Sequence, residues 1–375
     1  MAGINTEYVG QAVEELISKL GVKESIPLTD VVNSLRAGKI KDCITMIAGY
    51  LGLPITVDLS TVELAEGSQS RRSAIFGERF ESKDIVSSGQ PGQAAECITA
   101  QVLIPSHLPI YGSSELQGFH VRVKVSDNCQ KYPITFIAVM AHEFSHIVLH
   151  SIMHRQKDNE VYTDLTAMIL GFSEIIRKGR KTVETKRSSS RITTTTTTYG
   201  YLSDEVFSFA LDRIENKLIE LREKDKELQE KMLGRVAGYR NQVSHYESQR
   251  QLLCLLMENL DLKKKKTRKQ DTPEIVRMHE LYFLDRLADV SRHHARKLKE
   301  ISESSLELAI THLYTEQRID RLNASLQRVE SLISDLQKNL KDESDFLGSK
   351  IAILERNVSF LDKRRIRRQL QQTKQ

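Results

Sequence analysis

His142-Glu143-Phe144-Ser145-His146 follows the apolar run Phe136-Ile137-Ala138-Val139-Met140-Ala141, and its reading decides what kind of domain this chain contains. On a helix, residues four apart share a face. The spacing therefore aims both imidazoles at one spot and sets the carboxylate of Glu143 beside them. That arrangement suits a zinc ion with a general base next to it. A catalytic zinc usually takes three protein ligands and keeps a position for water. A third ligand is expected from a following helix. Downstream, Asn159-Glu160-Val161-Tyr162-Thr163-Asp164-Leu165 places Glu160 and Asp164 four apart, again on one face. Leu165, Met168, Ile169 and Leu170 can anchor that helix in a core.

The two motifs together resemble the gluzincin pattern, H-E-x-x-H followed by N-E-x-x-[ST]-D on a second helix. The resemblance covers residues 95–205, and its connection over 151–157 is short. It implies zinc as cofactor, with His142, His146 and Glu160 as ligands and Glu143 as the catalytic base. It also implies that Asp164 hydrogen-bonds a ring nitrogen of one of the histidines, which fixes tautomer and orientation. Asp164 remains the rival third ligand, because aspartate also binds zinc. His150 extends the series by one turn and reads as a rim residue, not a ligand. A looser similarity is to ImmA/IrrE-like zincins, although the Ala expected after the start of the acidic helix is missing. What the resemblance implies is a metallopeptidase acting on a peptide or protein.

The rest of the chain frames these motifs. Residues 5–21 read as an amphipathic helix stopped by Gly21, and Leu28–Leu35 and Ile44–Leu51 as short helices. Pro54–Leu59, Ile98–Ile104 and His120–Val125 read as strands, the last by strict alternation. Val121, Val123 and Val125 should face the core, with Arg122 and Lys124 in water. In zincins an edge strand above the metal helix pairs with extended substrate, and His120–Val125 is the candidate for that role. Residues 64–95 read as loop.

The helix of the second motif should continue past Gly171 to Lys178. The run Lys181–Gly200, with Ser188–Ser190 and Thr193–Thr198, has little apolar content and reads as a mobile linker or lid. Tyr199 and Tyr201 follow as candidate hydrogen-bond donors to an oxyanion.

From Asp204 the periodicity changes. Ile214, Leu218, Leu221, Asp225, Leu228 and Met232 step by 4, 3, 4, 3, 4, and Val236, Tyr239, Val243, Tyr246, Arg250 and Leu253 continue the 3.5-residue repeat of a coiled-coil seam. Asp225 and Arg250 are charged intruders. A polar turn at 263–273 interrupts the pattern, which resumes at Glu274. Leu322, Leu326, Val329, Ile333, Leu336 and Leu340 form a second seam, continued by Leu347, Ile351, Leu354, Val358 and Leu361. An antiparallel hairpin of two long helices is expected, with a parallel dimer as the competing picture.

Charge divides the same way. Residues 1–180 hold 17 Lys+Arg against 20 Asp+Glu, and residues 181–375 hold the other 38 against 30. The basic clusters Lys263–Lys269 and Lys363–Arg368 lack any nucleic-acid motif or interleaved aromatics, so nucleic acid is not the expected partner. The four cysteines have no C-x-x-C spacing and give no disulfide framework. No charged start leads into an apolar core, and no apolar run reaches the 18–20 residues of a membrane span. A cytoplasmic location is the expectation.

The reading is therefore an α+β chain. An N-terminal helical segment occupies 1–60. A zincin-like domain, a mixed sheet packed on the H-E-x-x-H helix and a second acidic helix, occupies 61–178. A Ser/Thr-rich linker or lid fills 179–203, and a coiled-coil arm for self-association or partner binding fills 204–375. The rival reading is a non-catalytic sensor or scaffold whose coiled coil is the working part.

Overall fold

The computed structural model describes residues 5–62, 100–187, 192–267, 274–306, 312–356 and 358–372. The loop expected over 64–95 lies outside the described residues. The chain forms two units, Met1–Arg222 with His312–Glu316, and Glu223–Thr311 with Gln317–Gln375. The segments expected as separate N-terminal, metal-domain and linker parts all lie in the first unit.

The first unit begins with three helices, α1 (Thr6–Leu20), α2 (Leu28–Arg36) and α3 (Ile40–Tyr50), with the two-residue strand β1 (Val22–Lys23) after α1. The Asn5 side chain caps α1, and the stripe Val9, Val13, Leu16, Ile17 and Leu20 is buried. Strands β2 (Thr56–Val62), β3 (Ala100–Leu103) and β4 (His120–Ser126) form a mixed sheet in the order β2-β4-β3, with β4 parallel to β2 and antiparallel to β3. Val121, Val123 and Val125 are buried, while Arg122 and Lys124 are exposed, as alternation requires. The expected edge position of this strand is wrong: β4 is the central strand, its backbone paired on both sides, and cannot add a substrate strand. Its alternation reports one wet face, which central and edge strands share. The edge nearest the metal motif belongs to β3.

Helix α4 (Pro133–Ser151) carries the first motif. Proline at its first turn suits the fixed φ of that ring. Phe136 to Ala141 are all buried. A helix apolar almost all round belongs inside a core, and α4 packs against α3, β3 and the helices that follow. Helix α5 (Glu160–Ala167) is capped by Asn159, whose side chain accepts the Val161 N–H at 3.0 Å. The expected single helix through Gly171 is broken. A π-helical turn spans Met168–Phe172, and α6 is Ser173–Gly179. Gly171 has φ 99°, and a Cβ there would stand 2.5 Å from the Glu24 carbonyl. Its own carbonyl accepts the Ile26 N–H. Glycine is what lets the chain after β1 lie against this turn.

The stretch expected to lack regular structure is an antiparallel hairpin, β5 (Lys181–Arg187) with β6 (Ile192–Thr198). Threonines are polar but β-branched, and their stiff χ1 favours extended backbone. Counting apolar residues missed that. Helix α7 (Asp204–Thr267) follows, and β7 (Leu313–Tyr314) pairs antiparallel with β1.

The second unit holds α7 from Glu223, α8 (Glu274–Leu306), α9 (Glu316–Arg356) from Gln317, and α10 (Phe360–Gln372). The expected hairpin of two helices is three. Arg235 pairs with Glu330 at 2.9 Å, and Ser344 donates to Gln249, so α7 and α9 run the same way. Ser291 bonds Glu247, Arg286 bonds Glu343, and the rings of Phe283 and Phe346 meet edge to face, so α8 runs opposite to both. Most seam residues are buried, among them Leu228, Met232, Tyr239, Leu322, Leu326, Ile333, Leu340 and Leu347. The intruder Asp225, 4% exposed, accepts from Arg318 and Gln229. The other, Arg250, pairs with Glu247 on its own helix. Leu361 departs from its seam and is 76% exposed, because α9 ends at Arg356 and breaks the register. Among the described residues no helix is long and apolar enough to cross a membrane, and Cys43, Cys129 and Cys254 are free thiols.

Candidate metal centre

Helices α4 and α5 bring the two motifs face to face. Glu160 Oε2 lies 3.1 Å from His142 Nε2 and 3.4 Å from His146 Nε2. The ligand atoms of His142, His146 and Glu160 all lie within 4.8 Å of one another. The two imidazole rings stand nearly perpendicular, with centroids 5.1 Å apart.

The far side of each ring is tied down. His142 Nδ1 donates to Asp164 Oδ1 at 2.7 Å. His146 Nδ1 lies 3.3 Å from the hydroxyl of Thr163, which itself donates to the Asn159 carbonyl. A hydroxyl so committed accepts from Nδ1–H. Both rings are thus turned with Nε2 toward Glu160, the orientation a divalent ion needs. Two imidazole nitrogens and one carboxylate, each ring held by a hydrogen-bond acceptor, form a donor set that fits zinc. Of the two rivals for third ligand, Glu160 meets both Nε2 atoms and Asp164 meets Nδ1. His150 pairs instead with Asp158 at 3.1 Å.

Charge is shared tightly here. Burial works against a proton on His142, but hydrogen bonds to Asp164 and Glu160 outweigh it and raise the imidazole to about 10. Burial likewise opposes charge on Glu160, yet the two histidines bring it down to about 2. Burial pushes the Glu143 carboxyl up, against the pull of His142 and His146. A carboxyl shifted in that direction is a better proton acceptor at neutral pH. The Val102 N–H of β3 reaches Glu143 Oε2 at 3.3 Å and orients it.

The hairpin supplies the last wall. Its exit, Tyr199-Gly200-Tyr201, runs beside Asp164, and the Tyr201 N–H donates to Asp164 Oδ2 at 2.7 Å. The Tyr201 ring stacks on His142, centroids 5.7 Å apart and planes 25° from parallel. Burial, then the nearby carboxylates of Glu160, Asp164 and Glu143, push its phenol up to about 12, so it keeps its proton and can donate. Tyr199, the other candidate, is 4% exposed and lines a small cavity with Asp164 and Arg180. Sequence reasoning named His142, His146, Glu160 and Asp164, which the structure brings together. It missed Thr163, although that residue is the T of the second motif, and it missed Val102 and the backbone of Tyr201, for which no local signal exists.

No family model, no curated protein and no solved structure matches this chain. The class of site is therefore defined by its own geometry.

Proposed function

We propose that the chain is a zinc-dependent metallopeptidase. The observation that carries this reading is the meeting of His142 Nε2, His146 Nε2 and Glu160 Oε2 around one point, with Glu143 adjacent and not among those three. Zinc, when bound, would supply Lewis-acid polarisation of a water and of the scissile carbonyl. Glu143 takes the proton from the attacking water and passes it to the departing amine nitrogen. Asp164 and Thr163 keep the imidazoles in one tautomer throughout. The Tyr201 hydroxyl is the donor available to the developing oxyanion. The helices of the second unit form a coiled-coil arm that serves self-association or recognition of a target.

The test is Glu143→Gln in the full chain. It should retain zinc, measured by elemental analysis, and lose peptide hydrolysis by about 100-fold or more. Hydrolysis at the parental rate would overturn the mechanism. Retention of the biological role without Glu143 would favour the scaffold reading.

A further inference from the structure

Arg180 directly follows α6, and its side chain is only 7% exposed. Nη2 donates to the Leu202 carbonyl and lies 3.4 Å from Asp204 Oδ1. The guanidinium also sits over the Phe207 ring, 4.5 Å from its centroid. Nε and Nη1 are buried without a hydrogen-bond partner among the described residues. A guanidinium does not shed its charge, so two buried donors left unpaired are costly.

Arg180 lines the same small cavity as Asp164, Tyr199 and Gly200. That cavity leaves about 10 Å³ for the centre of a water-sized sphere, which is about the room one water requires. Asp164 on its wall has each oxygen engaged once, by His142 and by the Tyr201 N–H. A carboxylate has about four acceptor positions, so capacity remains. Most of the remaining wall is apolar, including Met168, Ile176 and Phe207. Two residues with hydrogen-bonding capacity unspent, Arg180 and Asp164, therefore line one water-sized space.

We propose that Arg180 is a positioning residue of the metal centre. It holds one buried water that accepts from the guanidinium and donates to Asp164, so that the carboxylate stays fixed on His142 Nδ1. The inference rests on the metallopeptidase reading for its consequence, but its first readout does not require metal.

The experiment compares Arg180→Met and Arg180→Lys with the parent in the full chain. In the metal-free protein, the His142 Nδ1 proton resonance should exchange with solvent at least about tenfold faster in the Met variant and less so in the Lys variant. In zinc titrations against a chelator, the Met variant should bind about 10-fold or more weakly, as loss of an outer partner does. Combined with Asp164→Asn, Arg180→Met should add little further loss, because both act through one carboxylate. Unchanged proton exchange, or zinc losses that simply add, would overturn the proposal. A parent that binds no zinc would refute the metallopeptidase reading, and the exchange measurement would still decide the role of Arg180. If the Met variant does not fold, the Lys variant carries the same comparison: it keeps the charge but lacks the fork of donors, and exchange identical to the parent would count against the water bridge.

Discussion

Gly200→Ala tests how the hairpin supports the candidate metal centre. Gly200 has φ 93°, and a Cβ placed there would stand 3.3 Å from Asp164 Oδ2 and 3.7 Å from Oδ1. A non-glycine residue in a left-handed conformation costs about 1–2 kcal/mol, and the close oxygen adds to this unless Asp164 yields by a few tenths of an ångström. For a unit of roughly 200 residues, that strain lowers the melting temperature by about 2–8 °C. If Asp164 yields, its bond to His142 is misaligned and zinc affinity falls by about tenfold or more. Gly112→Ala separates the two effects. Gly112 has φ 80° with nothing near its would-be Cβ, so alanine there carries the strain without the contact. Scanning calorimetry of both variants should show similar destabilisation, while chelator competition should show weakened zinc binding only in Gly200→Ala. Equal zinc affinity in the two variants would refute the argument that Gly200 exists to let the backbone approach the carboxylate.

Four further outcomes follow from the same structure. Because His142 in the metal-free protein titrates near 10, zinc binding at pH 8 should release close to one proton, read as the dependence of calorimetric heat on buffer ionisation enthalpy; no dependence would count against the paired imidazolium. The raised pKa also fixes a sign. Its contribution to metal-free stability is fully present below the unfolded value of 6.5 and is lost as pH rises through about 10, whereas the contribution of Glu160 is present above 4.5 and lost as pH falls through about 2. In the second unit, Arg318→Ala strands the buried carboxylate of Asp225 and should cost about 3–5 kcal/mol in denaturant unfolding, with most of it regained when Asp225→Leu is added. Gly234→Ala, on an exposed turn of α7 with open space around its would-be Cβ, should stabilise by roughly 0.5–1 kcal/mol, and a loss would mean that the helix is not regular there.

The parts of this architecture legible in the sequence are those set by short spacings. Residues four apart put His142 with His146 on one face of α4 and Glu160 with Asp164 on one face of α5. Alternation in β4 fixes which valines are buried. Neither kind of signal reports who the neighbours are. The central place of β4 depends on pairing with β2, some 60 residues away. The bond from Tyr201 to Asp164 spans 37 positions. The hairpin was hidden because threonine's preference for extended backbone comes from branching rather than from hydrophobicity. The break before α9 was hidden for a different reason. His312 to Thr315 offer a short extended segment whose partner, Val22–Lys23, lies at the opposite end of the sequence.

That pairing bears on how the protein could be cut. The first unit is discontinuous in the sequence: Leu313–Tyr314 sit against Val22–Lys23, and the Cβ of any residue replacing Gly21 would collide with Thr315 and the Tyr314 carbonyl. A stop codon after Arg222 would bare one side of β1 and remove the ion pair between Lys217 and Glu316. Dissecting the two halves calls for excising 223–311 and 317–375 while splicing the five intervening residues back in, since a simple C-terminal deletion would confuse a folding defect with loss of recognition.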